Sequence, residues 1–394
     1  MHSGLSAGEK FDEWWRLRTG EAKIAIGARS AVFAPVENVG VIIVDEEHDS
    51  SYSSETAPRY NTFDVAYLRA KYNGCKLVLG SATPAVETYK RAMDGEFGLI
   101  RHLTQDIKLK NPSSLKGVGD DAAVLDYKDK KILVSTDMLI EGVHFDLAYA
   151  PLKHLGYKAV ATNASDIYAM NGTPRQITVS LAVSNRFSLE AVDELYEGIY
   201  LACDHYGIDL VGGDTTSSQT GMCISITVIG EANEEDIVYR NTARENDLIC
   251  VSGNLGAAYM GLQLLEREKV VFKENPNAQP DFSGYEYILE RQLKPEARMD
   301  IIQLLKEKGI NPTAMMDVSD GLSSEVLHIC HDSGLGCNIY EEKIPIDYQT
   351  FKMAEELNMN ATVCALSGGE DYELLFTAPL DAYDKLITME EISI

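Results

Sequence analysis

Five short acidic segments between positions 120 and 320 limit most strongly how this chain can fold. Each follows an apolar run or stands beside glycine or another small residue, so each is predicted to lie at a strand end or in a turn. One Gly-Asp pair alone is more often a turn or a helix N-cap, but five segments of one chemistry favour a shared site. Their acidic residues are Asp120 with Asp121, Asp137, Asp166, Asp214, and Asp317 with Asp320.

Gathered into one cleft, these carboxylates would repel one another unless cations lay between them. Mg²⁺ fits best, because it prefers oxygen ligands and commonly binds through one or two carboxylates together with substrate phosphates. Such a site suits phosphoryl transfer, which depends mainly on positioning and on charge neutralisation. Gly212 and Gly213, before Asp214, would let the backbone approach a phosphate closely.

Charge is divided unevenly along the 394 residues, whose formal net charge is −26. Residues 1–92 hold 11 Lys and Arg against 12 Asp and Glu, whereas the remainder holds 24 against 49. So acidic a remainder repels nucleic-acid phosphates, which argues against a nucleic-acid partner. The asymmetry also suggests two segments of different origin.

The sequence carries no sign of a membrane or secretion signal. No stretch approaches the roughly 18 apolar residues of a membrane span, and the N-terminus lacks the apolar core of a signal peptide. We therefore expect a cytoplasmic protein with no membrane partner. The seven cysteines are dispersed and form no C-x-x-C pair, which argues against a disulfide framework or a zinc site.

In the first segment, to about Arg91, apolar and amphipathic runs alternate as in half of a doubly wound α/β layer with parallel strands. Glycines mark the ends of two predicted helices, AGEKFDEWWRLRTG at Gly20 and TFDVAYLRAKYNG at Gly74. Buried strands are predicted for AKIAIGA, NVGVIIVDEE and CKLVLGSATP.

Roughly residues 2–90 resemble the primosomal replication-restart helicase, through HSGLSAGEKFDEW, GARSAVFAPVENVGVIIVDEEHDSSY and LVLGSATPAVETY. The resemblance implies that DEEH is a metal and ATP-hydrolysis motif. Such a site needs a G-x-x-x-x-G-K-[ST] phosphate loop upstream and an arginine finger downstream, and the sequence contains neither. We therefore expect Asp45 and Glu46 to be catalytically silent.

The second segment begins near Gly95 and again mixes strands with helices. A strand, a hairpin turn at Lys128–Lys131 and a second strand are predicted for VGDDAAVLDYKDKKILVSTDML. Further strands are predicted for QITVSLAVS, MCISITVIGEA and the start of DLICVSGNLGAAYMGLQLLERE, which continues as a helix. The other predicted helices are LGYKAVATNASDIYAMNG, which stops at Gly172, LEAVDELYEGIYLACDHYG, EARMDIIQLLKEKG, SDGLSSEVLHICHDSG and TFKMAEELN.

From about Gly95 onward the chain resembles thiamine-monophosphate kinase, of the superfamily that includes aminoimidazole ribonucleotide synthetase. The resemblance implies Mg²⁺-dependent transfer of the γ-phosphoryl group of ATP to thiamine monophosphate, in a homodimer. The two resemblances together imply an α/β architecture with three parts: a partial helicase-type layer at 1–92 and two kinase domains at 93–235 and 236–394, the last of them truncated. The motifs are VGDDAAVL, STDMLIEGVHF, NASDIYAMNGTP, GGDTT, DVSDGLSSE and SGGEDYELLF, the last close to diagnostic for the kinase.

The same resemblance implies roles for individual residues. It implies catalytic roles for Asp121, Asp166 and Asp320, and substrate contacts at His144 and Glu370. Nucleotide contacts are implied at Gly213, Asp214, Arg240 and Ser319. Magnesium ligands are implied at Asp121, Ser135, Thr136, Asp137, Asp166, Asp214, Asp317 and Asp320.

Residue chemistry leaves simpler alternatives open at several of these positions. Arg240 can pair with ATP phosphates or form only a surface ion pair. His144 can donate to a phosphate or a pyrimidine, or pack in the core. Asp371 and Glu373 are expected to lie at a solvated strand edge.

Two other functions also stay open: another phosphotransfer enzyme of the superfamily, and a non-catalytic fusion fragment with a helicase-like DNA- or nucleotide-binding module. The C-terminal ITMEEISI is expected to stop where a strand begins, before an aromatic substrate contact. We therefore expect the second domain's sheet to keep an unpaired edge, and the substrate pocket to be affected more than the ATP site.

Overall fold

The computed structural model describes residues 7–45, 52, 60–81, 102–116, 124–275, 280 and 282–394. These residues belong to two compact units, one of residues 1–99 with 184–192 and one of residues 100–183 with 193–394. Within the described ranges, no helix is both long enough and apolar enough to cross a membrane.

The first unit contains a small parallel α/β layer. Strands β1 and β2 pair in parallel, with Val41 opposite Lys76. Gly74 has a left-handed φ of 62°, and its N–H caps the end of the second helix at the predicted position. The parallel strand pair and both helices were predicted. Their bounds are α1 Ala7–Arg18, β1 Val41–Val44, α2 Thr62–Asn73 and β2 Lys76–Leu79.

The strand predicted for AKIAIGA is wrong. Residues 22–27 adopt no regular secondary structure, and Ile24 and Ile26 are largely exposed. The described sheet of this unit consists of β1 and β2, and residues 22–27 do not form a strand of it. An apolar run becomes a strand only where a neighbouring strand receives its hydrogen bonds.

The second unit contains a four-stranded sheet in the order β5-β8-β6-β7. Strands β5 and β8 pair antiparallel over ten residues, and β6 and β7 run parallel. Alternate residues of β8 are buried, beginning with Ile224 and Ile226, so one face of the sheet is covered, and helix α3 packs against it. The elements are β3 Ser114–Lys116, β4 Val124–Leu125, β5 Lys131–Ile140, α3 Leu152–Ala169, β6 Thr173–Val183, α4 Leu189–Tyr206, β7 Asp209–Ser217 and β8 Cys223–Ala232.

The strand–turn–strand pattern predicted around Lys128–Lys131 is not a hairpin. Strand β4, before the turn, pairs with β3, whereas β5, after it, pairs with β8. Lys128 has a left-handed φ of 51°, which turns the chain away between the two strands. Strand β7 was not predicted as a strand, because its second half, DTTS, is polar and its first half contains two glycines.

The second unit also contains the two-stranded sheet β3-β4 and another four-stranded sheet, which is antiparallel in the order β10-β11-β9-β12. All five residues of β11 are buried, which places this strand in the core. The edge expected to stay unpaired is partly covered by β12, in which Ile392 and Ser393 lie opposite Ser252 and Val251 of β9. The elements are β9 Leu248–Ser252, α5 Ala257–Glu274, α6 Glu286–Leu293, α7 Met299–Glu307, β10 Ala314–Asp317, α8 Leu322–Ser333, α9 Tyr348–Glu356, α10 Ala361–Ser367, β11 Leu374–Ala378, α11 Tyr383–Leu386 and β12 Ile392–Ser393.

Candidate active site

Helix α3 carries two adjacent polar residues that contact strands of both four-stranded sheets in the second unit. The carboxylate of Asp166 accepts a hydrogen bond from Ser135 Oγ on β5. Ser165 Oγ donates to Asp317 Oδ2 at the end of β10, at 2.6 Å. Neighbours on a helix point about 100° apart around its axis, so α3 can contact both strands at once. It thereby brings together carboxylates that lie 151 positions apart in the sequence.

Burial and crowding make these carboxyl groups hard to ionise. Burial, followed by repulsion from Asp317, raises the pKa of Asp166 to about 7. Burial also raises the pKa of Asp317 to about 6, although the hydrogen bond from Ser165 lowers it. The charges of Glu325 and Asp137 raise this pKa further. Asp137 likewise has a pKa raised by burial. Crowded carboxyl groups with raised pKa values are typical of functional sites and would be relieved by a bound cation.

Glu325 adds an orphaned oxygen beside this group. Its side chain is buried, and Oε1 accepts a hydrogen bond from the Asp320 N–H at 2.8 Å. Oε2 has no hydrogen-bond partner among the described residues. Burial raises the pKa of Glu325, although the hydrogen bond from the Asp320 N–H lowers it. A buried oxygen without a partner next to crowded carboxylates fits the oxygen-donor chemistry of Mg²⁺.

The described residues do not form a complete protein cage for a metal. Across these ranges, no group of three or more His, Cys, Asp or Glu side chains is arranged to hold an ion. Asp120 and Asp121, the first predicted acidic pair, lie outside the described residues.

Strand alternation divides the predicted ligands between two faces of the first sheet. Ser135 and Asp137 lie on the face that α3 covers, as the contact between Ser135 and Asp166 requires. Thr136 lies on the opposite, open face, where its Oγ1 donates to Ile226 O at 3.0 Å. Asp214 is exposed on that same open face. Thr136 lies opposite Thr227 of β8, and Thr227 lies opposite Thr178 of β6. Ser180, two residues after Thr178, shares its face and lies opposite Asp214 of β7. The side chains of Thr136 and Asp214 are therefore not gathered with Asp166.

Three of the predicted nucleotide contacts have distinct local environments. At Gly213, a Cβ would lie 2.1 Å from Val179 O, so β6 approaches too closely for any other residue. Arg240 is exposed, and its charge lowers the pKa of Asp166. Ser319 lies beside the loop of SGGEDYELLF, because its carbonyl accepts a hydrogen bond from the Glu370 N–H at 2.8 Å.

His144 lies just after β5 and is exposed, so the alternative of a packed core histidine is wrong. Its Nδ1 accepts a hydrogen bond from the Ile140 N–H at 3.1 Å. In the neutral ring this contact puts the proton on Nε2, which can donate to a ligand. The imidazole also lies near Asp137, whose pKa it lowers.

Two residues of the SGGEDYELLF loop adopt left-handed backbone conformations. Glu370 has a φ of 67° and Tyr372 a φ of 52°, which is uncommon for residues other than glycine. Hydrogen bonds from the two N–H groups to Ser319 O and Val318 O, both 2.8 Å, hold this conformation. Strained backbone of this kind, where the surroundings fix it, clusters at ligand sites.

The prediction that Asp371 and Glu373 lie at a solvated strand edge is wrong. Asp371 is fully buried and accepts hydrogen bonds from the N–H groups of Gly256 (2.6 Å) and Ala258 (3.2 Å), at the start of α5. Glu373 is 1% exposed and forms ion pairs with Arg291, at 2.8 Å, and with Arg298. The alternating acidic residues of the motif do not show these partners, because the N–H groups and arginines that contact Asp371 and Glu373 lie far away in the sequence.

The motif Asp45–Glu46 belongs to the first unit and is only partly described. Asp45 follows β1 and is exposed, and its carbonyl accepts a hydrogen bond from Tyr52 Oη at 2.7 Å. Glu46 lies outside the described residues.

Known proteins match the part of the chain that contains the two four-stranded sheets. The family described as AIR synthase related protein, N-terminal domain, matches residues 119–232, and its C-terminal domain counterpart matches residues 244–381. Thiamine-monophosphate kinase of Aquifex aeolicus (strain VF5) is 36% identical over 298 residues, covering 76% of this chain and 90% of that protein. The chain belongs to the thiamine-monophosphate kinase family.

Other members of the thiamine-monophosphate kinase family show the same extent of similarity. The kinase of Bacillus subtilis (strain 168) is 35% identical, covering 74% of this chain and 86% of that protein. The structure of AaThiL complexed with AMPPCP and TMP is 34% identical, with a TM-score of 0.60 over 76% of this chain and 89% of that chain. The kinase from Stenotrophomonas maltophilia K279a has a TM-score of 0.64 at 30% identity, over 75% of this chain and 90% of that chain.

The resemblance of the N-terminal segment to a replication-restart protein is also confirmed. Replication restart protein PriA of Bacillus subtilis (strain 168) is 55% identical over 100 residues. The match covers 25% of this chain but only 12% of PriA. This chain therefore combines most of a thiamine-monophosphate kinase with a small part of a PriA-like protein.

Proposed function

We propose that this chain transfers the γ-phosphoryl group of ATP to thiamine monophosphate, giving ADP and thiamine diphosphate, as a Mg²⁺-dependent cytoplasmic enzyme. The observation that carries the proposal is the pair of contacts Ser135–Asp166 and Ser165–Asp317, through which α3 places its own hard-to-ionise Asp166 between Ser135 of the first sheet and Asp317 of the second. The relative AaThiL complexed with AMPPCP and TMP supports the same pair of ligands.

Carboxylates and hydroxyls of the acidic segments would hold Mg²⁺. When bound, the ion would neutralise charge on the transferring phosphoryl group. Asp121, Asp166 and Asp320 are proposed as catalytic residues. The proposed ligands are Asp121, Ser135, Asp137, Asp166, Asp317 and Asp320, together with Thr136 and Asp214, which lie on the opposite face of the first sheet from Asp166.

The remaining site residues would bind and orient ATP and thiamine monophosphate. Arg240 would pair with ATP phosphates, together with contacts from Gly213, Asp214 and Ser319. His144 would donate from Nε2 and Glu370 would accept, both toward thiamine monophosphate. No protein nucleophile is needed, because the substrate phosphate oxygen is already anionic, so catalysis rests on positioning and electrostatics.

A homodimer is proposed through the open face of the first sheet. Strand β5 exposes Ile132, Val134, Met138 and Ile140 on that face, an apolar stripe of the kind that marks protein interfaces. We further propose the division at 1–92, 93–235 and 236–394, with the first segment catalytically silent and without a nucleic-acid partner.

Incubation of the full chain with ATP, Mg²⁺ and thiamine monophosphate tests the activity. Chromatography should show thiamine diphosphate and ADP in equal amounts, and EDTA should abolish both. An Asp166→Asn variant serves as the inactive control. ADP formed without thiamine diphosphate would mean another phosphoryl acceptor, and no ADP at all would contradict a kinase.

A further inference from the structure

Lys158 is a buried cation that no motif of the sequence singled out. It lies on α3, two turns before Asp166, and only 4% of its side chain is exposed. Its Nζ donates to Gln292 O at 3.1 Å and to Glu370 Oε2 at 2.9 Å. A buried ammonium group is costly unless it is paired, so this position on the helix is tied to Glu370.

Both donors to the Glu370 carboxylate contact the same oxygen. Gln292 Nε2 donates to Oε2 at 3.1 Å, as Lys158 does. Within the described part of the chain, this arrangement leaves Oε1 available for a ligand, and 27% of the Glu370 side chain is exposed. The carboxylate is therefore fixed on one side and open on the other, on a backbone held in a left-handed conformation.

We infer that Lys158 is a positioning residue for the phosphoryl acceptor: it fixes the Glu370 carboxylate so that Oε1 faces thiamine monophosphate. The inference rests on the proposed function, in which Glu370 contacts that substrate. Because α3 rises about 1.5 Å per residue, Lys158 and Asp166 lie about 12 Å apart along one rigid element. One helix would thus fix the position of the Glu370 carboxylate, which orients the acceptor, and also carry the Asp166 carboxylate, which binds metal.

The test is Lys158→Met, which keeps the length of the side chain but removes the charge. Losing a hydrogen bond to a charged group should raise the KM for thiamine monophosphate roughly ten- to hundredfold, with the KM for ATP nearly unchanged. The matched control is Lys153→Met, on the same helix, which loses an exposed ion pair with Glu197. It should leave both KM values as in the wild type.

A second pair of variants separates positioning from a general loss of structure. Glu370→Gln alone should raise the KM for thiamine monophosphate, and Lys158→Met added to it should raise the KM no further, because Lys158 acts through Glu370. Equal ATP affinity and intact circular dichroism spectra should accompany both results. If Lys158→Met does not fold, Gln292→Leu, which removes the other donor to Oε2, should raise the same KM to a smaller extent.

The outcomes distinguish this inference from the proposed function. A wild-type chain that makes no thiamine diphosphate contradicts the proposed function itself. An effect of Glu370→Gln without any effect of Lys158→Met overturns only the positioning role. Equal increases in both KM values, or additive effects in the double variant, would also overturn it.

Discussion

The hydroxyl of Ser165 donates a 2.6 Å hydrogen bond to the carboxylate of Asp317, and both groups are buried. Ser165 comes from the helix that covers the first sheet, and Asp317 ends a strand of the second. The contact therefore couples the two halves of the kinase-like unit at the proposed metal site. The burial that raises the pKa of Asp317 also makes this hydrogen bond more valuable.

Replacing Ser165 by Ala should weaken this coupling. The buried Asp317 carboxylate would lose its side-chain donor, at a cost of about 1–3 kcal/mol in the free energy of unfolding. kcat should fall as well, because Asp317 would no longer be held in place. Urea denaturation and steady-state kinetics measure the two effects. An unchanged unfolding midpoint together with unchanged kcat would contradict the role given to this contact.

Asp166→Asn should abolish turnover but stabilise the metal-free protein at high pH. A carboxyl group whose pKa is raised to about 7 in the folded state binds its proton more tightly there than in the unfolded state. Its contribution to stability is therefore fully present below the unfolded pKa, near 4, and is lost as the pH rises through about 7.

The measurement is a series of thermal melts in EDTA between pH 5 and pH 8. The wild-type melting temperature should fall across this range by more than that of Asp166→Asn. If the two curves stay parallel, Asp166 ionises normally in the folded chain. Because Asp317 has a pKa of about 6, Asp317→Asn should show the same difference at lower pH.

The sequence singled out acidic residues that the structure places close together, but it did not show how they are arranged. Glycine and small residues around each acid marked strand ends and turns, and the structure brings Asp166 and Asp317 together as expected of a shared site. The split between faces was missed, because STDML was treated as one ligand cluster. Period-two alternation sends Thr136 to the opposite face from Ser135 and Asp137.

Long-range partners account for most of the other errors. Asp371 and Glu373 looked solvated because the sequence does not show that the start of α5 and two arginines surround them. Lys158 carried no signal at all, since its partner Glu370 lies 212 residues away. The helix ends at Gly74 and Gly334 were predictable, because a left-handed glycine cap is a local feature.

Glu373→Gln should destabilise the second sheet strongly. Glu373 is 1% exposed and balances Arg291 and Arg298, so neutralising it removes the ion pair of Arg291 and leaves Arg298 paired with Asp300 alone. Breaking a buried pair of this kind costs about 3–5 kcal/mol. The matched control is Asp300→Asn, since Asp300 pairs with the same Arg298 but is 62% exposed. It should change the free energy of unfolding by less than about 1 kcal/mol, and similar losses for both variants would contradict the distinction.

Glu46→Gln should leave every ATP-dependent rate unchanged. The sequence has no phosphate loop to present ATP to this motif, so its carboxylate has no phosphoryl group to act on. Steady-state ADP release, with and without thiamine monophosphate, checks the prediction. A large fall in ADP release would mean that the PriA-like segment hydrolyses ATP after all.

Val134→Lys should weaken the proposed homodimer. Val134 is 64% exposed on the open face of the first sheet, in a stripe with Ile132, Met138 and Ile140. Burying a valine is worth about 1.5–3 kcal/mol, so placing a charge there should raise the dimer dissociation constant at least roughly tenfold. The control is Ile387→Lys, 54% exposed in the second domain. Sedimentation equilibrium should show a shift toward monomer for Val134→Lys only; equal shifts for both variants, or none, would mean that the open face is not the interface.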